Sequence, residues 1–168
     1  IITDITIPEY KKIKKIELKK KINLITIPNK KSNLNIISHK YIGDKQSIKI
    51  KYKKILYKLK INLIGKIQLK NILMSMIAAE KSNLNFRQIV RIIHKIKPVD
   101  GRLEKIGKIK NNSSVILDYA HTPDALKVCL QNLKEQFKNK KISVVFGCGG
   151  ERDQYKRSIM GKIANNYC

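Results

Sequence analysis

The chain has 168 residues, of which 42% are apolar and 29% charged, so it can bury a core and a disordered chain is excluded. Its 37 Lys and Arg residues against 12 Asp and Glu give a formal net charge of +25, which first suggests nucleic acid or an anionic membrane as a partner. Almost all of this excess is Lys, however, and Arg is the residue that reads phosphates and base edges. Aromatic residues, which would stack on bases, make up only 6% of the chain. A nucleic-acid-binding module therefore stays open only as an alternative.

Residues 1 to 62 are predicted to form short strands, namely "IITDITI", "KINLITI", "NLNIISH" and a long alternating pair from Ser47 to Asn62. The breaks fall at turn residues, at Pro8, at Pro28 with Asn29, and at Gly43 with Asp44. Lys alternates with apolar residues in "KIKYKKILYKLKI", residues 49 to 61, which indicates strands with one solvated face.

The period then changes to that of helices. "LIGKIQLKNILMSMIAAEKSNL" predicts a helix entered at Gly65, with Ile67, Asn71, Met74, Ala78 and Ala79 on helical spacing. "NFRQIVRIIHKI" predicts a second helix with Asn85 as its N-cap, stopped by Pro98. We place a domain boundary near residues 96 to 98.

Beyond Pro98 the sequence predicts strand, helix, strand and helix. "GRLEKIGKI" is a strand candidate, and "SSVILDYAH" is a buried strand that ends in polar residues. "TPDALKVCLQNLKEQF" is an amphipathic helix with Thr122 as N-cap, Pro123 as its first residue and Asp124 in its first turn. "ISVVFGCGG" predicts another buried strand, and a helix follows from about Asp153. This order predicts a parallel sheet with right-handed crossovers.

Two unusual stretches, "DYAHTPD" and "GCGGERD", follow the two predicted buried strands, where open α/β sheets bind their ligands. The glycines from Gly147 to Gly150 either let the backbone approach an anion or simply make a tight turn. Because Thr122 already caps the helix, Asp118, Tyr119 and His121 lack a local structural explanation. A carboxylate at a strand end can accept hydrogen bonds from both hydroxyls of a ribose.

The stretches "GRLE", "DYAHTPDAL" and "FGCGGERDQYKR", in this order and spacing, resemble the Mur ligases of peptidoglycan synthesis. Within that family they are most similar to the ligases that add the third amino acid to UDP-N-acetylmuramoyl-L-alanyl-D-glutamate. "LIGKIQLKNILMSMIAA" resembles the helix on the adenine side of the family's central domain. The resemblance runs from about Leu63 to the end and is loose before that.

The resemblance implies an α/β protein. Residues 1–96 would be the C-terminal part of the central ATP-binding domain, a mixed sheet with helices. Residues 97–168 would be the first part of a Rossmann-like C-terminal domain. The implied activity is amide ligation: ATP phosphorylates the D-glutamate carboxylate to an acyl phosphate, and the amine of diaminopimelate or lysine attacks it, with Mg²⁺ as the metal. The implied enzyme is a cytoplasmic monomer that binds neither nucleic acid nor a membrane.

By motif position, the resemblance implies that Asn71 bonds the adenine and Arg102 reaches the ATP phosphates. Asp118 would hold the ribose hydroxyls, with Tyr119 and His121 beside the nucleotide, and Arg152 would bind a carboxylate of the incoming amino acid. Three positions depart from the commoner family pattern: Gln68 in place of Asn, Glu151 in place of Asp, and Ser158 in place of Pro.

Several family motifs are not among these residues. They are the phosphate-binding loop G-x-x-G-K-[ST], the modified lysine that helps hold Mg²⁺, and the D-N-P-R stretch that selects diaminopimelate over lysine. We therefore expect the chain to be an internal piece of a longer protein, inactive by itself and without metal ligands of its own. Ligases of the cyanophycin synthetase or folylpolyglutamate type are an alternative, against which the "GCGGERD" turn argues. Cys129, Cys148 and Cys168 form no C-x-x-C pair, so a reducing compartment is expected.

Overall fold

The computed structural model describes residues 1–27, 34–149 and 153–168. The chain divides into two compact units, one of residues 1–62 and 67–96 and one of residues 63–66 and 97–168. We call them the N-terminal unit and the C-terminal unit. The domain identities expected for residues 1–96 and 97–168 stay predictions.

The N-terminal unit contains a parallel and an antiparallel sheet. Strands β1 (Ile2–Asp4) and β2 (Ile25–Ile27) pair in parallel on either side of helix α1 (Tyr10–Lys20). Strands β3 (Leu34–Ile42), β4 (Lys45–Tyr52) and β5 (Ile55–Ile61) follow as an antiparallel sheet in that order. Helix α2 (Lys66–Lys81) and helix α3 (Phe86–Ile92) come next, and a 3₁₀ turn at Ile93–Lys95 ends the helical stretch before Pro98.

Helix α1 corrects the prediction that residues 1 to 62 hold only strands. None of its residues is buried and no side chain caps its start, so the capping signal that reveals many helices is missing here. Tyr10, Ile13 and Glu17 are half-buried and lie on helical spacing, a periodicity that was available in the sequence. The helix also has a topological cause. A parallel pair such as β1 and β2 cannot be joined by a tight turn and needs a crossover connection, which is usually helical.

The alternating stretch behaves as predicted. In β4, and in β5 from Tyr57 onward, the apolar side chains and Gln46 point inward, while the Lys side chains are exposed. Ile55 and Leu56, at the start of β5, depart from this pattern and are 43% and 66% exposed. The two strands meet in a two-residue turn at Lys53 and Lys54, whose φ angles of 45° and 69° are both positive, as hairpins with a right-handed twist prefer. Asn85 also caps its helix as predicted, since its side chain accepts from the backbone N–H groups of Arg87 and Gln88.

Helix α2 forms where predicted, but the residues first noted on helical spacing are not its buried side. Its buried residues are Leu69, Ile72, Leu73, Met76 and Ile77. Asn71 and Ala78 are exposed, and so is Ile67 at 40%. The polar side chain at position 71 is therefore presented to solvent.

The C-terminal unit contains the antiparallel pair β6 (Glu104–Lys108) and β7 (Ser114–Leu117), helix α4 (Pro123–Gln136) and helix α5 (Tyr155–Tyr167). Thr122 caps α4 as predicted, since its hydroxyl accepts from the N–H of Ala125 at 3.2 Å. Strand β7 is only half-buried, with Leu117 48% exposed, so the prediction of a fully buried strand there is wrong.

The strand predicted at "ISVVFGCGG" is not formed in the described residues 142–149, and the parallel sheet expected there is absent from them. The side chains still alternate, because Ile142, Val144 and Cys148 pack against the core while Val145 is fully exposed. A strand also needs a neighbour to complete its ladder of hydrogen bonds, and no described residue supplies one.

The core of the C-terminal unit has two buried clusters. One contains Ile64, Leu103 and Leu133, and the other contains Leu126, Leu130 and Met160. Gly65 lies against the first, and its backbone N–H donates to the buried Gln136 side chain at 2.8 Å. None of the helices in the described ranges is long and apolar enough to cross a bilayer.

Replacing Gly65 by Ala should destabilise the C-terminal unit strongly. Gly65 has φ +86°, and an added Cβ would lie 2.8 Å from Leu103 Cδ1 and 3.1 Å from Asn132 Cβ. Overpacking costs about 1–3 kcal/mol and positive φ about 1–2 kcal/mol, so we expect a loss on the order of 3 kcal/mol in the free energy of unfolding. Gly43→Ala is the control, because φ is +57° and nothing lies within 4 Å of its added Cβ. Equal losses in denaturant unfolding would show that close packing at Gly65 contributes nothing.

Candidate functional site

The β6–β7 hairpin brings two separate stretches of the sequence together. Glu104, the first residue of β6, pairs with Leu117, the last residue of β7. The loop that enters β6 therefore lies beside the chain that leaves β7. The backbone N–H of Tyr119 donates to the carbonyl of Gly101 at 2.8 Å, which extends the pairing past the end of the strands.

Asp118 fastens these two stretches to each other. One carboxylate oxygen accepts from the N–H of Leu103 at 2.9 Å and the other accepts from the N–H of Ala120 at 3.0 Å. Leu103 has φ +48°, a left-handed conformation that a branched side chain adopts only when its surroundings enforce it. Asp118, for which the sequence offered no local explanation, therefore has a structural role: it holds the Gly101–Leu103 loop.

The other predicted residues of this region lie around Asp118. The Arg102 guanidinium carbon is 5.4 Å from the centre of the Tyr119 ring, within range of a cation–π contact. The Tyr119 ring in turn meets the His121 ring edge-on, with 5.1 Å between their centres. Tyr119 is 64% exposed, and Arg102 and His121 are also exposed. We call Arg102, Asp118, Tyr119 and His121 the Asp118 cluster.

Chemically, the Asp118 cluster combines three functions on one surface. Each Asp118 oxygen is engaged by one backbone donor, and a carboxylate has about four acceptor positions, so hydroxyl groups of a ligand can still bind it. Arg102 offers a planar fork of donors suited to phosphate oxygens. The exposed Tyr119 ring offers a flat apolar face. This set is complementary to a sugar phosphate.

Cys129 lies under this region but has no place in its chemistry. Burial raises the pKa of the Cys129 thiol to about 12, and the negative charge of Asp118 adds to the effect. A thiol in such surroundings stays protonated at neutral pH and is a poor nucleophile.

Two predicted site residues do not belong to the Asp118 cluster. Asn71 lies on α2 in the N-terminal unit, exposed, and its backbone carbonyl accepts from the Ser75 hydroxyl at 3.0 Å. Arg152 lies outside the described residues, as do Gly150 and Glu151 of the "GCGGERD" stretch.

Sequence reasoning missed the polar side chains buried along α4. Asn132 and Gln136 are each 8% exposed, and Gln136 holds the backbone of Gly65. Asn132 donates to the carbonyl of Val128 one turn earlier, at 2.7 Å. Both residues lie on the helix face that also carries Leu133, and polar side chains four residues apart on an otherwise apolar face were the available signal.

The described residues also bear on the expected Mg²⁺. Within residues 1–27, 34–149 and 153–168, no three His, Cys, Asp or Glu side chains come together as metal ligands. These described residues do not by themselves fit a metal site.

Replacing Asp118 by Asn should loosen the Gly101–Leu103 loop. The Asn side chain keeps one acceptor oxygen, but its NH2 group replaces the other oxygen and faces a backbone N–H, so one of the two hydrogen bonds is lost. We therefore expect a loss of about 1–3 kcal/mol in the free energy of unfolding. Hydrogen exchange should show reduced protection at the amides of Leu103 and Ala120. Asp124→Asn, in the exposed first turn of α4, is the control and should cost only about 0.3–1 kcal/mol. Unchanged protection of Leu103 would contradict the fastening role.

The chain is similar in sequence to known ligases. Residues 101–168 match the Mur ligase, glutamate ligase domain family, a range that contains the whole Asp118 cluster. A UDP-N-acetylmuramoyl-L-alanyl-D-glutamate–2,6-diaminopimelate ligase from Rickettsia prowazekii is 35% identical over 144 residues, which is 85% of this chain and 29% of the relative. The ligase of the same name from Rickettsia felis is 42% identical over 104 residues, 61% of this chain and 19% of the relative. The chain thus spans less than a third of the length of these relatives.

Solved structures share the fold. A structure of a UDP-N-acetylmuramoyl-L-alanyl-D-glutamate–2,6-diaminopimelate ligase superposes with a TM-score of 0.65 and 24% identity, covering 99% of this chain and 34% of that one. Folylpolyglutamate synthetase from Lactobacillus casei gives 0.66 and 17% identity, covering 99% of this chain and 40% of that one. Both likenesses confirm the predicted α/β class. The family match over residues 101–168 and the relative that is 35% identical over 85% of this chain show that the chain belongs to the Mur ligase family.

Proposed function

We propose that this chain is part of an ATP-dependent amide ligase that adds the third amino acid to UDP-N-acetylmuramoyl-L-alanyl-D-glutamate in peptidoglycan precursor synthesis. Residues 1–96 would then be the C-terminal part of its central ATP-binding domain and residues 97–168 the first part of its C-terminal domain. The observation that carries the proposal is the Asp118 cluster. It gathers an acceptor carboxylate, a guanidinium and an exposed ring inside the range that matches the family.

Asp118 suits the ribose of the nucleotide. Its two backbone hydrogen bonds fix both oxygens in place, so a vicinal diol meets acceptors whose orientation is already set. Tyr119 and His121 stand beside these oxygens as ring surfaces for the nucleotide. Arg102, held over the Tyr119 ring, is assigned to the phosphates, where its positive charge would stabilise the charge of the transferring phosphoryl group.

Asn71 is assigned to the adenine base. Its amide has both a donor and an acceptor, and such a side chain can contact the base on two neighbouring edge positions. Its exposure on α2 leaves that amide accessible to a ligand. Arg152 is assigned by motif position to a carboxylate of the incoming amino acid, which a bidentate guanidinium would hold so that the amine faces the acyl phosphate.

The incoming amino acid is proposed to be 2,6-diaminopimelate rather than lysine, because that is the substrate in the names of the sequence relatives. The same relatives separate this function from the folylpolyglutamate alternative. They are 35% and 42% identical to this chain, whereas Lactobacillus casei folylpolyglutamate synthetase, which shares the fold, is 17% identical. The three cysteines are unpaired, which agrees with a cytoplasmic enzyme.

The activity is tested with the full-length protein that contains this chain. Purified protein is supplied with ATP, UDP-N-acetylmuramoyl-L-alanyl-D-glutamate and either diaminopimelate or lysine, and both ADP release and the tripeptide product are measured. We expect ADP release to require the dipeptide substrate and diaminopimelate together. ADP release that is driven instead by a folate substrate, or tripeptide formation only with lysine, would contradict the proposal at the level of the reaction or of the amino acid, respectively.

Replacing Arg102 by Lys keeps the positive charge and removes the planar fork, so it tests the phosphate contact. A charged hydrogen bond contributes about 1.5–3 kcal/mol, and we expect kcat/KM for ATP to fall roughly ten- to a hundredfold. The KM for the amino acid should stay within twofold. Arg91→Lys, at an exposed position on α3, is the matched control and should leave both parameters unchanged. Equal behaviour of the two variants would remove Arg102 from the ATP site.

A further inference from the structure

A charged network lies in the N-terminal unit, at the end of β1. Asp4 is 5% exposed, and its Oδ2 lies 2.5 Å from Lys70 Nζ on α2. The other oxygen, Oδ1, accepts from the backbone N–H of Thr6 at 2.8 Å and from the Thr6 hydroxyl at 2.9 Å. Lys70 also donates to the Thr6 hydroxyl at 2.7 Å. Three side chains thus form a closed set of directional contacts.

Burying the Asp4–Lys70 ion pair costs free energy, so a contribution to stability does not by itself explain why the pair is present. Removing two charges from water consumes much of their attraction, and apolar residues of similar volume often stabilise a fold as well or better. Burial opposes the ionisation of Asp4, but the hydrogen bonds from Lys70 and Thr6 outweigh that effect, and the pKa of Asp4 lies below its usual value. The Asp4 carboxylate is therefore ionised at neutral pH, and the best physical use of the ion pair is to fix one geometry among several.

That geometry is the orientation of α2. The buried side of this helix consists of Leu, Ile and Met side chains, whose hydrophobic attraction to their surroundings is non-directional and tolerates small rotations. Lys70 is 23% exposed and is tied to a buried carboxylate, so it sets the rotation of the helix about its axis. Asn71 is the next residue. Even a small rotation of α2 about its axis moves the Asn71 side-chain amide, because that amide lies farther from the axis than the backbone does.

We propose that Asp4, Thr6 and Lys70 are positioning residues that orient Asn71 toward the adenine of ATP. The inference rests on the proposed function, in which Asn71 binds that base. It adds Asp4, at the end of the first strand, and its partners Thr6 and Lys70 to the determinants of nucleotide affinity and base preference, as residues that act without contacting the nucleotide.

A second ion pair, at the opposite end of α2, provides the control. Lys53 Nζ lies 2.5 Å from Glu80 Oε1, and Glu80 is the penultimate residue of the helix. Glu80 is nine residues beyond Asn71, or about 13 Å along a helix that rises about 1.5 Å per residue. Glu80→Gln therefore breaks an ion pair on the same helix at a distance from the proposed base contact.

The test uses the full-length ligase and compares ATP with inosine triphosphate. The hypoxanthine base replaces the 6-amino donor of adenine by a carbonyl, so the ratio of the two KM values reports contact with that edge. We expect Asp4→Asn to raise the KM for ATP roughly 2- to 30-fold, since substitutions in connected networks change coupling by that order, and to lower the preference for ATP over inosine triphosphate. Thr6→Val, which keeps the ion pair, should act in the same direction more weakly. Lys70→Arg, which keeps a cation at this position, should have a KM for ATP and a base preference close to those of the parent enzyme.

Unfolding measurements separate positioning from general destabilisation. The depressed pKa means that the contribution of Asp4 is fully present above its unfolded pKa, near 4, and is lost as pH falls through the folded value. Asp4→Asn should therefore lose stability at pH 7 and show a weaker pH dependence in acid. Glu80→Gln should lose stability while its KM ratio stays within twofold of the parent.

Asn71→Ala makes the two possible failures distinguishable. If Asn71→Ala abolishes the preference for ATP and Asp4→Asn changes it no more than Glu80→Gln, the positioning role is wrong and the adenine contact stands. If Asn71→Ala itself leaves the preference unchanged, the adenine assignment is wrong and the positioning role falls with it. A reduced preference in both Asn71→Ala and Asp4→Asn, but not in Glu80→Gln, supports the positioning role.

Discussion

The Asp118 carboxylate is the constraint on which the candidate site depends. It accepts hydrogen bonds from the backbone N–H groups of Leu103 and Ala120, which are seventeen residues apart in sequence. These bonds close the open end of the β6–β7 hairpin. Leu103 is placed by this bond in a left-handed conformation, and its side chain is delivered to the buried cluster with Ile64 and Leu133. Arg102, one residue earlier, is turned outward by the same constraint. The Asp118 side chain thereby links the packing of the core to the position of the Arg102 guanidinium.

Some parts of this structure could be predicted because their causes are local. Thr122 and Asn85 cap helices through N–H groups two or three residues away, and the alternation through β4 and β5 reports a single sheet face. The remaining parts have distant causes. Helix α1 connects two strands that pair in parallel, and that pairing is not visible in "YKKIKKIELKK" itself. Asp118 lacked an explanation in the sequence because its partner, Leu103, becomes a neighbour only after β6 and β7 pair.

The large positive charge has a plain structural account in one region. Lys49 and Lys58 lie directly opposite each other on the exposed face of β4 and β5, where like charges repel. Their long stems keep the ammonium groups in water, where salt screens the repulsion, while the alternate residues Ile48, Ile50 and Leu59 are buried. The fold thus tolerates lysine on a solvated face at little cost. In β4 and β5 the charge follows from a two-sided sheet pattern and needs no anionic partner to explain it.

The roles proposed for Asp118 and Asp4 are two ways in which a half-buried or buried carboxylate can contribute to binding. Both are satisfied by protein donors before any ligand arrives, so neither has to be ordered when a nucleotide binds, and the entropy of fixing them is already spent in folding. Asp118 retains acceptor positions and can meet the ligand directly, whereas Asp4 is enclosed by Thr6 and Lys70 and acts only through the helix that it orients. The first kind of residue can be found from its place after a strand. The second kind becomes apparent only from the contacts of the folded chain, because a lone Asp near the start of a sequence carries no motif.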